Sequence, residues 1–239
     1  GRENVAPMLK YDPSGRLLDS WGEGMFNWPH GFFIDADGYI WTSDARGVGD
    51  KGHQVMKFTQ DGTLLMTLGT AGVAGDGEDT FDGPADVAVA PNGDIFVVDG
   101  HGNNRVVKFN KDGEFVMSWG EAGTGPGQFN EPHSVAFDSQ GRLFVGDRVN
   151  ERIQVFDQNG QYLAEWPGIM ASGMDITEDD VIYVADYQLR LGIVIANAND
   201  FTEIGFIENA MPEGVTVDGM GNVYAGEVLP RNLKKFVKN

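Results

Sequence analysis

The chain has 239 residues, 41% of them hydrophobic and 22% charged, with a formal net charge of −19 and no cysteine. That balance suits a globular fold with a sizeable core, and the length suits one all-β domain spanning 1–239. The negative charge argues against nucleic acid and anionic membranes as partners, since such binding rests on Lys and Arg. The absence of Cys excludes disulfides and thiolate metal sites.

No apolar run approaches the ~18–20 residues that span a bilayer. No signal peptide is visible from Gly1 onward, a leader being removable, and the expectation is an extracytoplasmic location. Gly is abundant, at 34 residues, which points to many tight turns between short strands.

Taken along the chain, Met8–Gly22 reads as two strands of a repeat, its third and fourth, c and d. The first full copy follows. Strand a is Gly31–Asp35, and strand b ends the run Asp37-Gly38-Tyr39-Ile40-Trp41-Thr42-Ser43-Asp44. Strand c is His53–Phe58 and strand d lies in Thr63–Gly69. Further copies carry Gly93-Asp94-Ile95-Phe96-Val97-Val98-Asp99, Gly141-Arg142-Leu143-Phe144-Val145-Gly146-Asp147, Tyr183-Val184-Ala185-Asp186 and Asn222-Val223-Tyr224-Ala225-Gly226-Glu227. The acidic residues that close strand b stand at 44, 99, 147, 186 and 227, the ~40–50-residue period of propeller blades. Asp-Gly and Asn-Gly dipeptides between strands are hairpin signals. The recurring acids read as turn caps, because a short carboxylate accepts nearby backbone N–H groups. His53, on an outer strand, reads as structural.

The fold expected is an all-β, NHL-type β-propeller of the six-bladed type with an incomplete first blade. The final copy shows strands a, b and c, so a five-bladed closure, with the N-terminal strand completing the last blade, is also open. Strand a lines the channel of a propeller. Its entry positions read His30, Ala85, His133, Ser172 and Glu213. In a six-fold ring alternate blades stand about 120° apart, which lets His30, His133 and Glu213 converge on one metal ion. Two imidazoles and a carboxylate are a common catalytic set for Zn²⁺, with other divalent metals open. A second ring follows strand b. There His101 is a candidate general base and Arg148 a candidate clamp for a carboxylate or phosphate.

The segments Trp28-Pro29-His30-Gly31, Asp99-Gly100-His101-Gly102-Asn103-Asn104-Arg105, Glu131-Pro132-His133-Ser134 and Gly146-Asp147-Arg148 resemble peptidyl-α-hydroxyglycine α-amidating lyase and its bacterial NHL-repeat relatives. The resemblance runs in order along nearly the whole chain. It implies a six-bladed propeller that cleaves a peptidyl-α-hydroxyglycine to a peptide amide and glyoxylate. It implies zinc on three Pro-His steps, matched by His30 and His133, and arginines on the substrate carboxylate, matched by Arg148 and Arg2. It also implies a structural Ca²⁺ on the axis. The chain departs at three points: the third Pro-His step is Pro212-Glu213, the Asp expected after it is Gly214, and the Tyr of an Asp-Gly-Tyr turn is His101.

Three functions are therefore expected candidates. One is a zinc-dependent lyase acting on a small-molecule or peptide C-terminal substrate. Another is a metal-dependent hydrolase of an ester, lactone or phosphoester. The third is a non-catalytic NHL-repeat interaction module.

Overall fold

The computed structural model describes residues 5–229 and 231–238. Arg2 lies outside the described residues. Among them there is no helix, and so none long and apolar enough to cross a membrane. The chain forms two compact units, Gly1–Asn103 with Lys108–Met117, and Asn104–Val107 with Ser118–Asn239.

The first unit opens with β1 (Met8–Tyr11) and β2 (Leu17–Trp21), a two-stranded sheet. Next come β3 (Pro29–Ile34), β4 (Ile40–Asp44), β5 (Gln54–Phe58) and β6 (Leu64–Leu68), one antiparallel sheet in chain order. A third sheet follows in order from β7 (Pro84–Val89) through β8 (Ile95–Asp99) and β9 (Arg105–Phe109) to β10 (Phe115–Trp119); β9 and β10 have residues in both units. The second unit holds β11 (Pro132–Phe137), β12 (Leu143–Asp147), β13 (Arg152–Phe156) and β14 (Tyr162–Pro167) in one sheet. Beside it lie β15 (Gly173–Ile176), β16 (Val181–Asp186), β17 (Gly192–Asn197) and β18 (Glu203–Glu208) in another. The last sheet is β19 (Pro212–Val217), β20 (Val223–Glu227) and β21 (Asn232–Phe236). The strand pair β1–β2 is a sheet of its own, as strands c and d of an incomplete blade. Among the described residues β1 pairs with β2, and the last sheet holds three strands.

The inner strands are buried because sheet packs on sheet through their apolar residues. In the second unit Phe144, Ile153, Val155, Ile182, Val184 and Val194 form one cluster. Each such side chain contributes roughly 1.5–3 kcal/mol when removed from water. The fourth strands alternate between exposed and half-buried residues, as in β10 and β14; that pattern suits a strand with one face to solvent.

The acids that end strand b all cap the approach to strand a. Asp44 accepts from the N–H groups of Asn27 and Trp28, Asp99 from Asp82, Asp147 from Asn130, Asp186 from Met170 and Glu227 from Met211. These carboxylates are buried, so each backbone donor they satisfy removes a desolvation cost. Burial pushes the Asp44 carboxyl up from its ordinary 3.8, against the pull of its two N–H donors. Burial acts upward on Glu227 too, yet Lys234 and the Met211 N–H bring it below its ordinary 4.5.

Candidate functional site

Four strand-a starts share one irregularity. Against strand b the register slips between Pro29 and Phe32, between Pro84 and Asp86, between Pro132 and Ser134, and between Pro212 and Gly214. The extra residues of these bulges are His30 with Gly31, Ala85, His133 and Glu213. A bulge bends the strand and re-aims the side chain it carries. Proline fits the start of such a strand because it has no N–H to leave unpaired.

In the first unit the bulge holds His30 against the next sheet. Its Nδ1 lies 2.8 Å from the carbonyl oxygen of Ala85. A carbonyl accepts only, so Nδ1 carries the hydrogen and Nε2 keeps its lone pair, a tautomer assigned from the bonding. Gly31 makes the approach possible: a Cβ there would stand 2.6 Å from the Ala85 oxygen and 2.7 Å from the Asp86 Cα. Opposite Nε2 stands the Nε2 of His101 at 3.1 Å, with the rings 79° apart.

His101 is fixed by its own turn. Its N–H bonds the Gly83 carbonyl, the next N–H bonds the Asp82 carbonyl, and Asn103 Nδ2 donates to Asp99 Oδ2. Trp28 lies beside both imidazoles, its ring centroid 5.3 Å from that of His30 and 5.2 Å from that of His101. The Arg46 guanidinium covers the same indole at 4.0 Å. His53 sits before β5 with φ +55° and accepts the Gly83 N–H through Nδ1, a structural tie.

In the second unit His133 repeats the tether. Its Nδ1 is 2.6 Å from the Ser172 carbonyl oxygen, and the ring is buried. Nε2 faces a cation here: Arg148 Nη1 stands at 3.0 Å. Arg148 also donates to Glu213 Oε1 at 3.2 Å and, through Nη2, to Glu131. Glu213 Oε1 is 3.4 Å from His133 Nε2. Glu131 holds φ +62°, a left-handed conformation that costs a non-glycine residue about 1–3 kcal/mol.

Of the site residues expected from sequence, the structure joins His30 with His101, and His133 with Arg148 and Glu213. Three further residues had no functional assignment from sequence: Trp28, Arg46 and Glu131. Trp28 and Glu131 occupy the same place, directly before Pro-His, and that shared position was the available signal.

The family model described as DUF5128, a 6-bladed beta-propeller, matches residues 83–186. The sequence is 36% identical over 259 residues to NHL repeat-containing protein 3 of Homo sapiens, covering 98% of this chain and 74% of that one. It is 29% identical over 267 residues to peptidyl-alpha-hydroxyglycine alpha-amidating lyase 1 of Drosophila melanogaster, covering 96% of this chain and 48% of that one. A solved streptogramin B lyase superposes with a TM-score of 0.66 at 16% identity, over 97% of this chain and 76% of that one, and bears on the fold alone. Repeats, capping acids and these matches define an NHL-repeat β-propeller. The chain belongs to the family of NHL repeat-containing protein 3 and is homologous to the α-hydroxyglycine amidating lyases.

Proposed function

We propose that the protein is a metal-dependent lyase in which His30 and His101 are metal ligands. Its substrate is an α-hydroxyglycine-like small molecule or peptide C-terminus, cleaved at the C–N bond to an amide and glyoxylate. One observation carries the reading: the Nε2 atoms of His30 and His101 meet at 3.1 Å. That separation is close to what two ligands ~2.0–2.1 Å from a tetrahedral Zn²⁺ require. The Nδ1–H to carbonyl tether of His30 is the device that orients metal-binding imidazoles, and His133 carries the same tether. Two imidazoles suit Zn²⁺ and leave positions open to substrate.

In this reading His101 takes the ligand position that Glu213 held in the sequence expectation, because Glu213 is ion-paired with Arg148. The axial Ca²⁺ has no part in it, since Gly214 offers no side-chain ligand. A bound divalent metal would act as a Lewis acid on the substrate hydroxyl. As the hydroxyl proton leaves, the C=O bond forms, the C–N bond breaks and the amide nitrogen gains a proton. The proposal takes residues 1–239 as one propeller domain working outside the cytoplasm. The Drosophila relative, a lyase by name, supports it.

A second reading, a non-catalytic interaction module, draws support from the human relative, which is named for its repeats alone. Elemental analysis of protein purified without chelator and an assay of glyoxylate release separate the two. One equivalent of metal is expected, lost in His30→Ala and His101→Ala. Metal with ester, lactone or phosphoester turnover in place of glyoxylate points to a hydrolase; protein without metal points to the module.

A further inference from the structure

The two arginines that follow strand b differ in what they have left to offer a ligand. Arg148 is engaged through both terminal nitrogens: Nη1 meets His133 and Glu213, and Nη2 meets Glu131. Two carboxylates more than balance its single charge, and a third would enter against net repulsion. Arg46 is exposed, and its guanidinium lies on the Trp28 ring. A stacked guanidinium keeps its in-plane N–H fork available, the geometry that matches a carboxylate with two parallel hydrogen bonds. The same indole borders His30 and His101, so Arg46 stands one ring away from the imidazole pair.

We infer that Arg46, held by Trp28, binds the substrate carboxylate, and that Arg148 does not. The inference rests on the lyase reading for the identity of the substrate. Its own content is a carboxylate subsite at Arg46. Trp28 limits where the fork can swing. Truncating Arg46 leaves the fold intact, because its tie to Asn27 runs through the backbone carbonyl.

The test uses an N-acyl-α-hydroxyglycine and its methyl ester as substrates, and hippurate as an unreactive carboxylate probe measured by calorimetry. Arg46→Gln should raise KM for the acid about tenfold, the low end for a charge-assisted hydrogen bond, and weaken hippurate similarly. It should leave kcat and the KM for the ester unchanged. Arg46→Lys should recover part of the loss, since it restores the charge without the fork. The inference is overturned if hippurate fails to bind wild type, or if Arg46→Gln leaves both acid KM and hippurate affinity unchanged. Loss of hippurate binding on Arg148→Gln alone overturns it as well. Should wild type release no glyoxylate, the lyase reading fails, while the hippurate measurements still decide the role of Arg46.

Discussion

His30 in the first unit and His133 in the second begin from one local sequence, Pro-His at the start of a strand. Both occupy a β-bulge, and both give Nδ1–H to the carbonyl of the following sheet. They part at Nε2. His30 meets the imidazole of His101, whereas His133 meets the guanidinium of Arg148 with two carboxylates behind it. The repeat therefore fixes how an imidazole is tethered, and the turn after strand b decides what it faces. A ring pair and an ionic cluster are built on the same scaffold position.

The largest expected effect tests whether the two imidazoles share one task. His30→Ala should abolish stoichiometric metal and His133→Ala should retain it, read by elemental analysis. Retention in His30→Ala, or loss in His133→Ala, would break that division. The residue after each His sharpens the comparison next. At Gly31 a side chain meets the Ala85 carbonyl at 2.6 Å, so Gly31→Val should cost roughly 1–3 kcal/mol by forcing β3 away from β7. At the matching Ser134 the hydroxyl donates to the Ala171 carbonyl at 3.2 Å, and Ser134→Ala should cost about 0.5–1.5 kcal/mol. Denaturant melts of both variants check the ranking.

The partners of Nε2 should differ in the same sense. Arg148→Gln leaves Glu131 and Glu213 without their cation and should cost about 1–3 kcal/mol. His101→Ala removes a single ring partner and should cost no more than about 1.5 kcal/mol in metal-free protein. Equal losses would mean that the ionic cluster contributes no more to folding than the ring pair does.

The smallest effect lies in the capping acids. The Glu227 pKa is lowered from 4.5 in the folded protein, so the folded state binds fewer protons than the unfolded chain across that interval. Its stabilisation is present above 4.5 and is lost as pH falls through the lowered value. The stability gap between wild type and Glu227→Gln should therefore close on acidification. Asp44 is shifted the opposite way. Its contribution falls as pH rises from below 3.8 through the raised value, so it opposes the Glu227 trend. Melts between pH 3 and 6 on wild type, Asp44→Asn and Glu227→Gln read the two signs.

Much of this architecture was legible in advance. Strand order and blade period followed from alternating apolar residues, Asn-Gly and Asp-Gly turns and the acids at 44, 99, 147, 186 and 227, while the place of the first strand pair stayed open between two closures. These are local signals, set by side-chain alternation and backbone turn preference within one blade. The Pro-His steps were legible as repeat-equivalent positions for the same reason.

What sequence left undecided is pairing across turns and sheets. Nothing in the neighbourhood of His101 announces that its Nε2 turns to His30, 71 residues away, because that depends on the turn pinned by Gly83, Asp82 and Asp99. Nor does Pro212-Glu213 show that its carboxylate lies against Arg148, 65 residues distant. The one-residue bulges that aim these side chains carry only a proline as their trace. Sequence by itself determined the repeat and the equivalent Pro-His steps, since both arise from contacts a few residues apart or from copies of one blade. Tertiary structure decided which atoms those imidazoles face, since hydrogen bonds between distant turns depend on how the sheets pack.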